Sequence, residues 1–205
     1  ELVSGPLAEA SALRLDGMLY PVFQKSPALG GTVKSANLDH IQSLSGVTHA
    51  FEVPGTAEYN GLQPGVAIVA KSFWEARKAR EQLKVDWETT HADSTAEYAR
   101  QADKAAASPG KTMRHDGDVE AAFEKAARVV EASYHYPHLA HANMEPMNCT
   151  AMMHGPDKME IWAPTQNAAA GRDLISELLG IPKQNIRVNQ MRMGTAFGRR
   201  SRRDF

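Results

Sequence analysis

The sequence predicts an α+β fold in two successive units joined by a polar connector, and three observations predict it. Residues 18–88 alternate short strand-forming runs with two stretches of helical apolar spacing, in the order β-β-α-β-β-α-β. Residues 91–127 lose that apolar content and are rich in Ala, Asp, Glu, Lys and Arg. Beyond them, strand patterns, one amphipathic helix and a further strand lead into a loop of small residues, Gly194-Thr195-Ala196-Phe197-Gly198. The boundaries drawn from these patterns are 1–90, 91–127 and 128–205.

In the first unit, residues 18–24 form a short apolar run and Gly30-Gly31 turns the chain into a second strand at 32–35. Leu38, Ile41 and Leu44 recur at helical spacing, with Gly46 placed to end the helix. Residues 47–53 read as a strand closed by Pro54-Gly55, and Gly65-Val66-Ala67-Ile68-Val69-Ala70 as a buried one. Ser72 is the expected cap of a helix over 73–83, and residues 84–88 alternate like an edge strand. His40 and His49 are read as surface or hydrogen-bonded core histidines.

The connector is predicted helical up to Ser108-Pro109-Gly110, and Asp118 caps a short helix in which Val119, Phe123 and Ala126 share a face. Residues 128–134 read as a strand entering the last unit. Residues 147–153 and 159–162 read as paired strands, with Cys149 mid-strand as a small buried hydrophobe. A helix from about residue 168 carries Leu174, Ile175, Leu178 and Leu179 on one stripe and ends at Gly180 and Pro182. The strand at 185–191 then delivers the chain into the small-residue loop.

Composition excludes several classes. Hydrophobic content of 42% and charged content of 23% are those of an ordinary globular protein, and a net charge of -1 gives no pull toward nucleic acid or anionic lipid. One cysteine excludes an internal disulfide and a cysteine-ligated cluster or zinc site within these 205 residues. No apolar run approaches the ~20 residues of a membrane helix, and no signal peptide is visible at Glu1. A start without Met and a stop after Arg-Arg-Asp-Phe read as an excerpt of something longer. Compartment stays open between periplasm and cytoplasm.

Chemistry concentrates after residue 134. His135, His138 and His141 recur every third residue, but Pro137 opposes the helix that would bring them together, so a histidine metal site is the minor reading. His141 with Glu145 is read either as a mutually orienting pair or as a buried polar pair that fixes a turn. Gln166 is a neutral donor and acceptor at a strand end, a suitable place to hold an oxo group or carbonyl. The loop 194–198 lets backbone N–H groups approach an anionic or oxo-bearing ligand. It lacks both the Gly-Lys-Ser/Thr of a P-loop and the dinucleotide Gly-x-Gly-x-x-Gly spacing. Arg199-Arg200-Ser201-Arg202-Arg203 is read first as a solvated basic face, then as guanidiniums meeting a cofactor's phosphates, and last as a nucleic-acid contact.

His141-Ala142-Asn143-Met144-Glu145-Pro146, Trp162-Ala163-Pro164-Thr165-Gln166, and Phe197-Gly198-Arg199-Arg200 with Asp204-Phe205 together resemble the molybdenum-binding large subunit of the xanthine oxidase family. Within it, the isoquinoline 1-oxidoreductase beta-subunit branch, which includes bacterial aldehyde dehydrogenases, is most similar. Upstream, Gly30-Gly31-Thr32-Val33-Lys34-Ser35, Gly65 to Ala70 and Leu83-Lys84-Val85-Asp86-Trp87 resemble its α/β-hammerhead domain. The resemblance implies a hammerhead followed by the first part of a molybdopterin-binding domain.

That resemblance also implies a molybdopterin cofactor with molybdenum, in the cytosine dinucleotide form, and hydroxylation of N-heterocycles or aldehydes with water-derived oxygen. Partners implied are an iron–sulfur small subunit carrying 2Fe–2S clusters, the remainder of the large subunit and a small-molecule substrate, with no nucleic acid. By position, Gln166 matches the glutamine that hydrogen-bonds an oxo ligand. Gly194, Thr195, Ala196, Phe197 and Gly198 match the loop lying against the metal centre, with Arg199 following toward the cofactor. The family's loop is usually Gly-Gly-Gly-Phe-Gly, so Thr195 and Ala196 are departures. Its general-base glutamate lies downstream of Phe205, so no catalytic residue is expected here. The alternative is a non-catalytic hammerhead scaffold that makes subunit contacts.

Overall fold

The computed structural model describes residues 12–58, 60–89 and 94–204. Glu1, His91, where the predicted connector begins, and Phe205, which closes the last motif, lie outside the described residues. The chain divides into two compact units, one formed by Glu1–His91 with His141–Phe205 and the other by Ala92–Ala140.

Three sheets organise the first unit. The strand β4 (Gly65–Ala70) is central in an antiparallel sheet, between β1 (Tyr20–Lys25) and β3 (Val47–Val53). Its alternate residues Val66, Ile68 and Ala70 face the two helices, and Ala67 on the other face is buried as well. The helices α1 (Leu38–Gln42) and α2 (Phe73–Glu81) supply Ile41, Ala76 and Ala79 to a core shared with Val22, Val66 and Ile68. Ser72 caps α2, its hydroxyl accepting from the Glu75 amide at 3.3 Å. The strands β2 (Thr32–Ala36) and β5 (Val85–Glu88) pair antiparallel in a sheet of their own.

The third sheet runs in the order β6 (Thr150–Met153), β7 (Met159–Ala163), β8 (Ile186–Gln190). β6 and β7 form an antiparallel hairpin, while β7 and β8 are parallel and joined through α5 (Ala168–Leu179). Ile161, Ala163, Ile181 and Ile186 make its core, flanked by Ile175 and Val188. Asn167 caps α5 and Gly180 closes it.

In the second unit, α3 (Thr95–Ala106) and α4 (Val119–Glu124) bury no side chain, and Asp118 caps α4 as expected. The rings of Tyr98 and His138 meet edge-on, 5.3 Å between centroids.

Residues 128–134, expected as a strand, have no regular structure. A strand must place its N–H and C=O groups in a ladder, and no neighbour among the described residues supplies one. β6 starts at Thr150 rather than at 147, because Pro146 has no N–H and the Asn148 side chain folds back onto the Pro146 carbonyl and the Glu145 carboxylate. Cys149 therefore precedes the strand and is exposed, not a buried hydrophobe. No helix among the described residues is long and apolar enough to cross a membrane.

Candidate functional site

Parallel strands joined by a helix leave their carboxyl ends at one edge, where α/β sheets characteristically place ligands. β7 and β8 do so here, paired from Met159↔Ile186 to Ala163↔Gln190. The first leaves through Pro164-Thr165-Gln166 and the second through residues 191–198. Two bonds hold the exits together: the Met191 amide donates to the Ala163 carbonyl at 2.9 Å, and Gln190 Nε2 to the Thr165 carbonyl at 2.7 Å.

Thr165 is wholly buried, its hydroxyl accepting from the Asn167 amide and donating to the Arg200 carbonyl. The Gln166 amide donates to that same carbonyl at 2.9 Å. Gln166 is thus pinned by its backbone beside the turn that follows the loop, with its side chain exposed. A turn of Pro, a buried Thr and an exposed Gln fixes the backbone while leaving the amide group for a ligand.

The loop itself has an unusual backbone. Thr195, Phe197 and Gly198 adopt φ of 69°, 48° and 87°, a region that non-glycine residues visit rarely. The Arg199 amide closes a turn onto the Ala196 carbonyl at 2.9 Å. Among the described residues, no protein acceptor meets the N–H groups of Thr195 to Gly198, and Phe197 is 69% exposed.

The segment His141-Ala142-Asn143-Met144-Glu145-Pro146 holds the loop's start. Glu145 and Gly194 exchange bonds: the Glu145 amide donates to the Gly194 carbonyl at 3.0 Å, and the Gly194 amide to the Glu145 carboxylate at 2.9 Å. The Met144 amide donates to the Thr195 hydroxyl at 3.0 Å. A Cβ on Gly194 would lie 2.7 Å from that of Glu145, so only glycine fits at this approach. All three motifs quoted from the sequence therefore meet.

Arginines complete the arrangement. Arg200 is fully buried and donates to the carbonyls of Pro164, Glu145 and Pro146 at 2.9, 2.9 and 3.1 Å, and to the Glu145 carboxylate at 3.2 Å. Arg199 grips Asp204 with both terminal nitrogens at 2.7 Å, and Lys25 adds a third contact at 2.8 Å. Burial works against the Asp204 carboxylate, but Arg199 and Lys25 more than offset it and hold its pKa below the ordinary value. Its hydrogen bond in turn raises the pKa of Arg199. Arg203 binds the Asn60 carbonyl and pairs with Glu58.

Two sequence readings are corrected. His141 is exposed, and Glu145 is paired with Arg200 rather than with it. Nor is the arginine run a solvated face, since Arg199, Arg200 and Arg203 are tied inward to Asp204, Glu145 and Glu58. Spacing along the chain could not reveal partners 55 and 145 residues away. Among the described residues, no three His, Cys, Asp or Glu side chains are grouped to hold a metal ion. What this edge offers is free amide donors, a neutral carboxamide and one exposed aromatic ring.

Residues 101–204 match the family model of the molybdopterin cofactor-binding domain. The chain belongs to this family. As a molybdopterin-binding-domain protein it is 26% identical, over 216 residues, to the xanthine dehydrogenase molybdenum-binding subunit of Escherichia coli O157:H7, covering 89% of this chain and 29% of that one. It is 22% identical to the isoquinoline 1-oxidoreductase subunit beta of Brevundimonas diminuta, covering 97% of this chain and 26% of the relative. Its fold resembles that of quinoline 2-oxidoreductase from Pseudomonas putida 86, with a TM-score of 0.69 at 19% identity, covering 94% of this chain and 29% of that chain. The xanthine oxidase family resemblance carried by the three motifs is thereby borne out. This molybdopterin-binding-domain chain spans only 29% and 26% of the length of these two curated relatives.

Proposed function

We propose that the chain is part of the large subunit of a molybdenum hydroxylase that oxidises N-heterocycles or aldehydes with oxygen taken from water. The observation that carries the reading is convergence. Gln166 and the loop Gly194–Gly198 leave adjacent parallel strands at one edge, and the Gln166 amide donates to the carbonyl of Arg200, just after the loop, at 2.9 Å.

The donor set fits an oxo-bearing, anionic group. Amide N–H groups from Thr195 to Gly198 lack protein acceptors among the described residues, and preorganised donors of this kind stabilise negative charge without reorganisation. Gln166 would donate its carboxamide to an oxo ligand, and Phe197 would lie against the metal centre. Arg199, with both terminal nitrogens on Asp204, would act by anchoring the loop. When bound, the molybdopterin, read as its cytosine dinucleotide, supplies the two-electron redox chemistry; the chain's residues bind and orient. Glu145 is buried and committed to Arg200 and Gly194, so its carboxylate is not free to act as a general base.

Further parts of the reading follow from the family. Residues 1–90 correspond to the α/β-hammerhead domain, 91–127 to a connector and 128–205 to the start of the cofactor domain. Electrons leave through a partner subunit with 2Fe–2S clusters. The alternative is a non-catalytic scaffold that makes subunit contacts; Thr195 and Ala196, where the family has glycines, favour it. Metal analysis of the full-length protein purified with its partner separates the two. Molybdenum near one atom per polypeptide, lost in the Gln166→Ala/Phe197→Ala variant, supports the hydroxylase. A molybdenum-free protein that still assembles supports the scaffold.

A further inference from the structure

Arg200 and Glu145 have no part in binding a ligand directly, yet they are an expensive thing to bury. Arg200 has no exposed surface and Glu145 is 6% exposed. Replacing such a pair with packed apolar side chains is often neutral or stabilising, so stability alone does not call for it. The pair is also incompletely satisfied, for Arg200 Nε has no partner among the described residues. A guanidinium differs from an apolar side chain in offering several donors in one rigid plane. Here that plane reaches Pro164, two residues before Gln166, and both Glu145 and Pro146. The Arg200 carbonyl accepts from the Gln166 amide, and Glu145 binds both backbone groups of Gly194.

We propose that the buried Arg200–Glu145 pair is the positioning device that sets the distance between Gln166 and the loop Gly194–Gly198, and so the spacing of the groups that would hold the cofactor. The inference rests on the proposed function for what these groups hold, but the positioning itself can be read without any cofactor. One side chain touches the β7 exit, its own backbone carries the Gln166 bond, and its carboxylate partner clasps the β8 exit. Loosening the pair frees both exits together while the β1-β4-β3 sheet, to which it makes no hydrogen bond among the described residues, keeps its packing.

The test uses the full-length protein with its partner, in wild type, Arg200→Lys and Glu145→Gln/Arg200→Met. The first variant keeps the charge but cannot span the same acceptors. The second removes both charges, so that neither is left buried alone. Hydrogen exchange is followed at the amides of Glu145, Gln166 and Gly194 and, as reference, in β4 and α2; molybdenum and pterin are measured per polypeptide. Both variants are expected to exchange roughly tenfold or more faster at the three amides with the reference unchanged, and to lose most of their cofactor. Unchanged exchange at the three amides, or equal acceleration throughout the chain, overturns the proposal, the latter by showing a merely structural pair. Loosened amides with full cofactor also overturn it, because cofactor binding would not depend on the spacing. A wild type without molybdenum overturns the proposed function instead, and exchange alone then decides the positioning claim.

Discussion

Thr195 adopts a backbone conformation that a β-branched side chain normally avoids, at a cost of roughly 1–2 kcal/mol. Its hydroxyl recovers part of that by accepting the Met144 amide, 51 residues away in sequence. Thr195→Gly relieves the strain but loses the bond and frees the unfolded chain, so the expected change in unfolding free energy is within about 1 kcal/mol. Thr195→Val keeps the strain and leaves the exposed Met144 N–H to water, and should destabilise by about 0.5–1 kcal/mol. Chemical denaturation distinguishes them. Gly194→Ala should cost more, about 1–3 kcal/mol, because its Cβ would strike that of Glu145 at 2.7 Å. The sequence displayed Thr195 and Ala196 as departures in bulk. What Thr195 does was not legible, since that depends on a residue brought in from another motif.

Among elements, the strand–helix–strand passage from β7 through α5 to β8 was the most legible. Its end at Gly180 and the strand after it are local signals; of the expected stripe Leu174 is buried and Ile175 half-buried, while Leu178 and Leu179 are exposed. β3 and β4 were equally plain, matching 47–53 and 65–70. Residues 128–134 were not, because β-branched content says nothing about whether a neighbour exists to pair with. Asn167 marks the start of α5 and its carboxamide accepts the Ala170 amide at 3.2 Å. Asn167→Ala should therefore cost about 1 kcal/mol of stability. The same change should speed exchange of the adjoining Gln166 amide, since the helix start and the ligand-facing turn share a backbone.

On the scale of the molecule, residues 199–204 do what sequence spacing could not show. Asp204 joins Arg199 to Lys25 of β1, and Arg203 reaches Asn60 and Glu58, so the two stretches that make up the first unit are stitched by charge. Four near-consecutive basic positions look like a surface patch until their partners are known. Asp204 has a depressed pKa, so its contribution is fully present above the ordinary carboxylate value of about 4 and fades as pH falls through the lower folded-state value. Asp204→Asn should lower stability by about 2 kcal/mol near neutrality. The gap to wild type should hold steady down to pH of about 4 and close below it, where the native carboxyl is itself neutral. Thermal unfolding across that range checks the sign.

The pairing of Ala163 with Gln190 acts as a ruler for everything that follows either strand. Each residue added to β8 would advance its exit by about 3.3 Å and turn its side chains to the opposite face. An insertion among residues 182–185, after the buried Ile181, can be absorbed before the strand begins; the same insertion between residues 186 and 190 would carry Phe197 out of step with Gln166. Length variation in relatives of this chain should accordingly gather ahead of β8 and stop at its first paired residue.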